Sequence, residues 1–174
     1  MCRVLEYPKE RELCLCALYH DLTKTKELSD QLDILETFGY TADEADLQSP
    51  AVLHGITASF LAEEDGRLDS ESIGAIRYHT TGKAGMSLSE KILYFADFIE
   101  ETREWEECRE IRKRFYKELP SSVEDRRKHL NVCILDSMKQ TVFHLKEKNK
   151  PIHPLTLQAL EDLKSGEREK NDVS

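Results

Sequence analysis

The sequence predicts an all-α protein built as one domain, and three observations carry that expectation. Apolar residues recur at helical spacing along most of the chain, with no convincing strand pattern. Start and stop signals for helices (Ser, Thr or Asp caps, Pro at first positions, Gly at ends) punctuate it at short intervals. The length, 174 residues, suits a single core, and there is no internal repeat or linker to divide it. The domain is expected to fill residues 1–165, leaving the polar stretch 166–174 as a disordered tail.

Taken in order, residues 9–19 read as a helix buried on most sides. Ser29 is placed to cap a short helix carrying Leu32, Leu35 and Phe38 and closed by Gly39. Thr41 and Glu44 have the spacing of a capping box. Ser49-Pro50 starts a helix with a cap and a first-position proline, and Gly66 ends it. Asp69 or Ser70 opens the next, which presents Ile73 and Ile76 to the core and ends near His79. Ser87 and Glu90 form a second capping box ahead of a strongly apolar helix over 88–99. Residues 105–119 are amphipathic and stop at Pro120. Ser122 caps a long helix to about residue 148, and residues 154–164 form the last.

Acidic residues outnumber Lys plus Arg by 34 to 25, a net charge of −9, which argues against a nucleic-acid-binding surface. A small polyanion remains compatible if metals and a few cations reverse the field locally. No apolar run approaches the ~20 residues of a membrane helix, and the N-terminus lacks a signal-peptide layout, so a cytoplasmic location is the default. Five scattered cysteines fit reduced thiols better than a disulfide framework. Cys14 and Cys16, two helical positions apart, point away from each other and read as small core residues.

Five side chains form a candidate metal centre: His20 and Asp21 at the end of the first helix, His54, His79, and Asp97 within the apolar run Tyr94-Phe95-Ala96-Asp97-Phe98. Imidazole and carboxylate together are the ligand set of catalytic zinc, iron or manganese. A carboxylate buried as deeply as Asp97 needs a partner, since an unpaired buried charge costs several kcal/mol. His129 and His144 read as structural.

The order His-Asp, His, His, Asp on helices resembles the HD-domain metal-dependent phosphohydrolases. The stretches His20-Asp21-Leu22-Thr23-Lys24, Leu53-His54-Gly55, Arg77-Tyr78-His79-Thr80-Thr81-Gly82, Ala96-Asp97-Phe98-Ile99-Glu100 and Ile152-His153-Pro154 are similar to the YqeK-like group, the bacterial symmetrical bis(5'-nucleosyl)-tetraphosphatases. The resemblance implies an HD-domain helical bundle with two divalent metal ions, iron first, manganese or zinc as alternatives. It implies that Asp21 bridges them, that His20 and Asp97 hold one, and that His54 and His79 hold the other. Asp21 and Lys24 become the expected catalytic residues. Lys24, Arg77 and Arg103, helped by Thr80, Thr81 and Gly82, become the expected contacts to phosphate. The implied reaction is symmetrical hydrolysis of diadenosine tetraphosphate to two ADP by metal-activated water. A homodimer is plausible for such a protein, and dinucleoside polyphosphate or ADP is its expected ligand.

Two departures qualify the match. The family pattern opens with a further histidine on an earlier helix, whereas no residue before His20 is histidine. The first helix is therefore expected to be missing or shortened, with residues 1–7 as the end of it. Glu101 stands in Ile99-Glu100-Glu101-Thr102-Arg103 where the family more often has proline, which bears on Arg103. Two other functions stay open: a phosphohydrolase of a simpler nucleotide, such as a dNTP or nucleoside monophosphate, and a catalytically impaired nucleotide-binding protein.

Overall fold

The computed structural model describes the backbone of residues 1–171 and the side chains of residues 1–166. It contains nine α-helices and no strand among the described residues: α1 Glu10–Tyr19, α2 Leu28–Thr37, α3 Glu44–Gln48, α4 Leu53–Asp65, α5 Ser70–Tyr78, α6 Leu88–Phe98, α7 Glu106–Lys117, α8 Val123–Glu147 and α9 Pro154–Asn171. None of the described helices is long and apolar enough to cross a membrane. The all-α expectation holds, and α9 runs beyond the expected end at residue 164. Of the expected tail, residues 172–174 lie outside the described residues.

The apolar helix α6 is the axis of the core. It packs against α5, α8 and α1, and α4 lies against α5. Its Phe95, fully buried, meets Phe115 of α7 edge-on, with ring centroids 5.0 Å apart. Leu130, Ile134 and Met138 of α8 complete this layer. A smaller cluster, Leu35, Leu53 and Ile56, joins α2 to α4.

The caps explain where helices start. Ser87 accepts the Glu90 amide while Glu90 reaches back to the Ser87 amide, as the sequence predicts. Ser122 and Asp69 cap α8 and α5 by accepting the amides of Asp125 and Ser72. The expected Thr41–Glu44 box is instead an Asp43–Asp46 box at α3, because Asp46 can serve both the Asp43 amide and the Tyr40 hydroxyl. Ser29 caps nothing: α2 begins one residue earlier, with Glu27 before it and no side-chain cap. Ser49-Pro50 opens a 3-10 turn, Pro50–Val52, that runs on into α4.

Helix α1 is one-sided rather than buried on most sides. Leu13 and Cys16 face the core, while Leu18 is 76% exposed. Cys16 donates its thiol to the Ser72 carbonyl, and Cys14 is exposed rather than a core residue. All five cysteines are free.

Residues 1–7 make a single helical turn closed as helices close. The Tyr7 amide donates to the Cys2 carbonyl (2.9 Å) and the Glu6 amide to the Arg3 carbonyl, with Glu6 in the left-handed region at φ 49°. Leu5 is fully buried, and Arg126 and Arg127 of α8 donate to the carbonyls of Val4 and Leu5, each at 3.1 Å.

Candidate active site

His20 and His79 each stand one residue past a helix end, where the last-turn carbonyls have lost their helical partners. Each ring uses Nδ1 to satisfy a carbonyl three residues back: His20 on Ala17 (2.8 Å) and His79 on Ile76 (2.7 Å). The Ala51 carbonyl, also three residues back, lies beside the His54 ring and favours its charged form. A ring that donates Nδ1–H to a carbonyl keeps a bare lone pair on Nε2. The local fold therefore favours this tautomer at His20 and His79, and the Nε2 atoms of all three rings meet at one place.

That place is Asp21. Its Oδ1 lies 3.2 Å from His54 Nε2 and 3.7 Å from His79 Nε2, while Oδ2 lies 3.5 Å from His20 Nε2 and 2.6 Å from Lys24 Nζ. Asp97 Oδ1 is 3.7 Å from His20 Nε2, and Asp97 Oδ2 accepts from Arg103 at 2.6 Å. The five side chains that the sequence singled out as metal ligands thus converge from four separate segments.

Positioning depends on residues that sequence reasoning did not single out. Thr23, fully buried, donates to the His54 carbonyl (3.0 Å) and shares a 2.6 Å hydrogen bond with Thr57, so the turn carrying Asp21 is tied to α4. Gly55 lets α5 come close: a Cβ there would stand 3.1 Å from the Arg77 carbonyl and 3.2 Å from the His79 ring. The only sign of Thr23 in the sequence is its place inside the His20–Lys24 stretch.

The electrostatics favour a cation. His54 and His79 place their Nε2 atoms 3.0 Å apart. Burial, with the His79 ring beside it, pushes the His54 pKa down to about 4, so the His54 ring carries no charge near neutrality. Two ring nitrogens this close share either a proton or a positive ion. Asp21 Oδ1 is buried and makes no hydrogen bond, despite its 3.2 Å approach to His54. Burial opposes ionisation of Asp21, but the nearby His79 ring, the hydrogen bond from Lys24 and the neighbouring His20 reverse this and hold the carboxyl well below its usual range. Asp97 is likewise lowered, because His20 and Arg103 outweigh its burial. Burial would lower His20 too, but Asp97, the Ala17 carbonyl and Asp21 raise it overall. Ionised carboxylates beside bare imidazole nitrogens are the donor set of divalent metals, so these residues fit such an ion.

His54, His79 and Asp97 of the cluster line a cavity of about 530 Å³, walled further by Lys24, Thr80, Thr81 and Arg103 and closed by residues from distant elements: Tyr94, Phe98, Thr141, Leu145, Lys150 and His153. The volume is that of a pocket for a nucleotide-sized ligand. The Thr80 hydroxyl is buried without a partner. Thr81 spends its hydroxyl on the Gly82 carbonyl (2.8 Å). Glu101 is exposed and leaves Arg103 in the cavity wall.

Two expected phosphate contacts are not brought to this cavity. The Arg77 guanidinium lies over the Phe60 ring at 4.6 Å and the Tyr40 ring at 5.6 Å, because a planar delocalised cation gains more from aromatic faces than from reaching around α5. Gly82 is buried at φ +64°, where a Cβ would lie 2.5 Å from Met138 Cε and 3.3 Å from Ala159 Cβ. It is there to turn the chain against α8 and α9. Gly82→Ala is expected to cost about 2 kcal/mol from left-handed strain plus overpacking. That corresponds to a melting temperature lower by about 4–8 °C for a chain of this size, readable by differential scanning calorimetry.

A helical bundle whose His and Asp side chains converge in this order defines an HD-type hydrolase with a divalent-metal site. The crystal structure described as a predicted HD superfamily hydrolase involved in NAD metabolism, from Clostridium acetobutylicum, superimposes with a TM-score of 0.80 at 31% identity, covering 94% of this chain and 82% of that one. Curated relatives named symmetrical bis(5'-nucleosyl)-tetraphosphatase come from Bacillus subtilis, 31% identical over 153 residues (87% of this chain, 76% of the relative), and from Halalkalibacterium halodurans, 31% identical over 144 residues (82% and 71%). A third, from Staphylococcus aureus, is 30% identical over 160 residues. No family model matches the chain. The chain belongs to the symmetrical bis(5'-nucleosyl)-tetraphosphatase family of HD-superfamily hydrolases.

Proposed function

We propose that this protein hydrolyses diadenosine tetraphosphate at the centre of its phosphate chain, consuming one water and releasing two ADP. The observation that carries the proposal is the convergence of His20, Asp21, His54, His79 and Asp97, three of which line a nucleotide-sized cavity, in a chain whose relatives bear that activity in their names. The catalytic unit is assigned to residues 1–165.

The site is assigned to two divalent ions, iron first. His54 and His79 would hold one and His20 and Asp97 the other. Asp21 would bridge them, since its Oδ1 faces the first pair and its Oδ2 faces His20. Such ions acidify a bound water and draw charge from the attacked phosphoryl group. The protein's own groups do the rest. His20 and His79, anchored through Nδ1 to backbone carbonyls, keep their Nε2 atoms aimed inward. Lys24 and Arg103, at the cavity wall, are assigned to neutralise phosphate oxygens, and the unpartnered Thr80 hydroxyl to donate to one. Tyr94, Phe98 and Leu145 keep bulk water from the bridge.

The test is product analysis on metal-loaded protein. ADP as sole product is expected; ATP plus AMP, or a preference for dNTPs or nucleoside monophosphates in a parallel panel, would sink the proposal.

A further inference from the structure

A second cleft of about 250 Å³ shares the walls Phe98, Arg103, Thr141, Leu145 and Lys150 with the metal-floored cavity. It extends from that cavity along α7 and α8. Its mouth is formed by Trp105, which is 56% exposed although it is among the largest apolar side chains of the protein. The indole is not loose: the His144 ring meets it edge-on at 5.9 Å, and Lys148 Nζ stands 5.7 Å from its centroid. His144 Nε2 is buried with no hydrogen-bond partner, and the nearest carboxylate, Glu107, is 3.7 Å away. The helical core does not account for these features. An exposed, braced aromatic face, an unused polar nitrogen and flanking cations suit a purine base carried on a phosphate chain.

We infer that the Trp105–His144 cleft binds the second nucleoside of the dinucleotide substrate, its base stacked on Trp105, with Arg103 and Lys150 at the junction of the two cavities holding the phosphate chain between them. This rests on the dinucleoside reading above. The cleft gives that reading a physical basis for preferring two nucleosides to one: a nucleotide with a single base leaves Trp105 uncovered.

Trp105 is the single tryptophan of the chain, so its emission reports on the cleft directly. Metal-loaded protein is titrated with a methylene-bridged, non-hydrolysable diadenosine tetraphosphate and with adenosine 5'-tetraphosphate, which has the same phosphate number but one nucleoside. The first is expected to quench the emission, and the second to bind by calorimetry without quenching. Trp105→Ala is expected to weaken the dinucleotide about ten-fold or more, the loss of one base–aromatic stack, while adenosine tetraphosphate changes less than about two-fold and Trp105→Phe restores most of the affinity. Equal quenching by both ligands, or equal weakening of both in Trp105→Ala, overturns the assignment. Cleavage of diadenosine tetraphosphate to ADP with Trp105→Ala indistinguishable from the parent overturns the cleft alone, whereas a parent protein that neither binds nor cleaves it overturns the functional reading itself.

Discussion

Asp21→Asn is expected to lower kcat/KM for diadenosine tetraphosphate by about 10³-fold, because the proposed reading makes metal and phosphoryl charge stabilisation of several kcal/mol depend on this carboxylate, and each 1.36 kcal/mol is ten-fold in rate. Asp21 lies within 3.7 Å of all three imidazoles: Oδ1 faces His54 and His79, and Oδ2 faces His20 and Lys24. Asparagine keeps the shape, removes the charge and replaces one acceptor oxygen by a donor that points at imidazole nitrogens or at the Lys24 ammonium. The side chain is 33% exposed and buries no apolar surface, so the fold should survive the change. Measuring metal content, melting temperature and kcat/KM on the same preparation separates the possibilities. Activity within ten-fold of the parent at equal metal content would remove Asp21 from the bridging position.

Much of this centre was legible in the sequence because each ligand carries a local mark. His20 and Asp21 adjoin at a helix end, and Asp97 sits in an apolar run that could not tolerate an unpaired charge. The long helices were legible for a similar reason: the Ser87–Glu90 box and the Ser122 cap are short-range devices, and both form as their spacing predicts. Where the reading shifted, a non-local partner had decided. Asp46 draws the α3 cap to Asp43 because it also accepts from Tyr40 and contacts His153, 107 positions away, at 3.2 Å. Arg77 looked like a phosphate ligand beside His79, but the aromatic pair Tyr40 and Phe60, brought over it by the fold, claims its guanidinium. The cavity walls were the least legible part. Tyr94, Thr141, Leu145 and His153 come from three segments with no shared motif, and Trp105 marks its cleft only by staying exposed.

Removing the metal is expected to do more than abolish turnover: it should soften the fold. In the protein without an ion, two ring nitrogens 3.0 Å apart can share at most one proton, and a buried carboxylate oxygen beside them has no hydrogen bond. An ion that binds this arrangement and not the unfolded chain adds about 2.7 kcal/mol at a hundred times its Kd, by mass action. At about 2–4 °C per kcal/mol for a chain of this length, saturating iron(II) or manganese(II) should raise the melting temperature by about 5–10 °C over chelator-treated protein. Calorimetric scans after chelation and after metal return provide the measurement, and His79→Ala should lose most of the increment. A second His and Asp group, Asp43, Asp46 and His153, offers an internal alternative. Asp46 there already accepts from Tyr40 (2.8 Å) and the Asp43 amide (3.2 Å) and faces His153 Nε2, so its lone pairs are largely committed and little affinity remains for an ion. An undiminished thermal shift in His79→Ala, abolished instead by Asp43→Asn, would move the metal to that second group and leave the converged imidazoles without their cation.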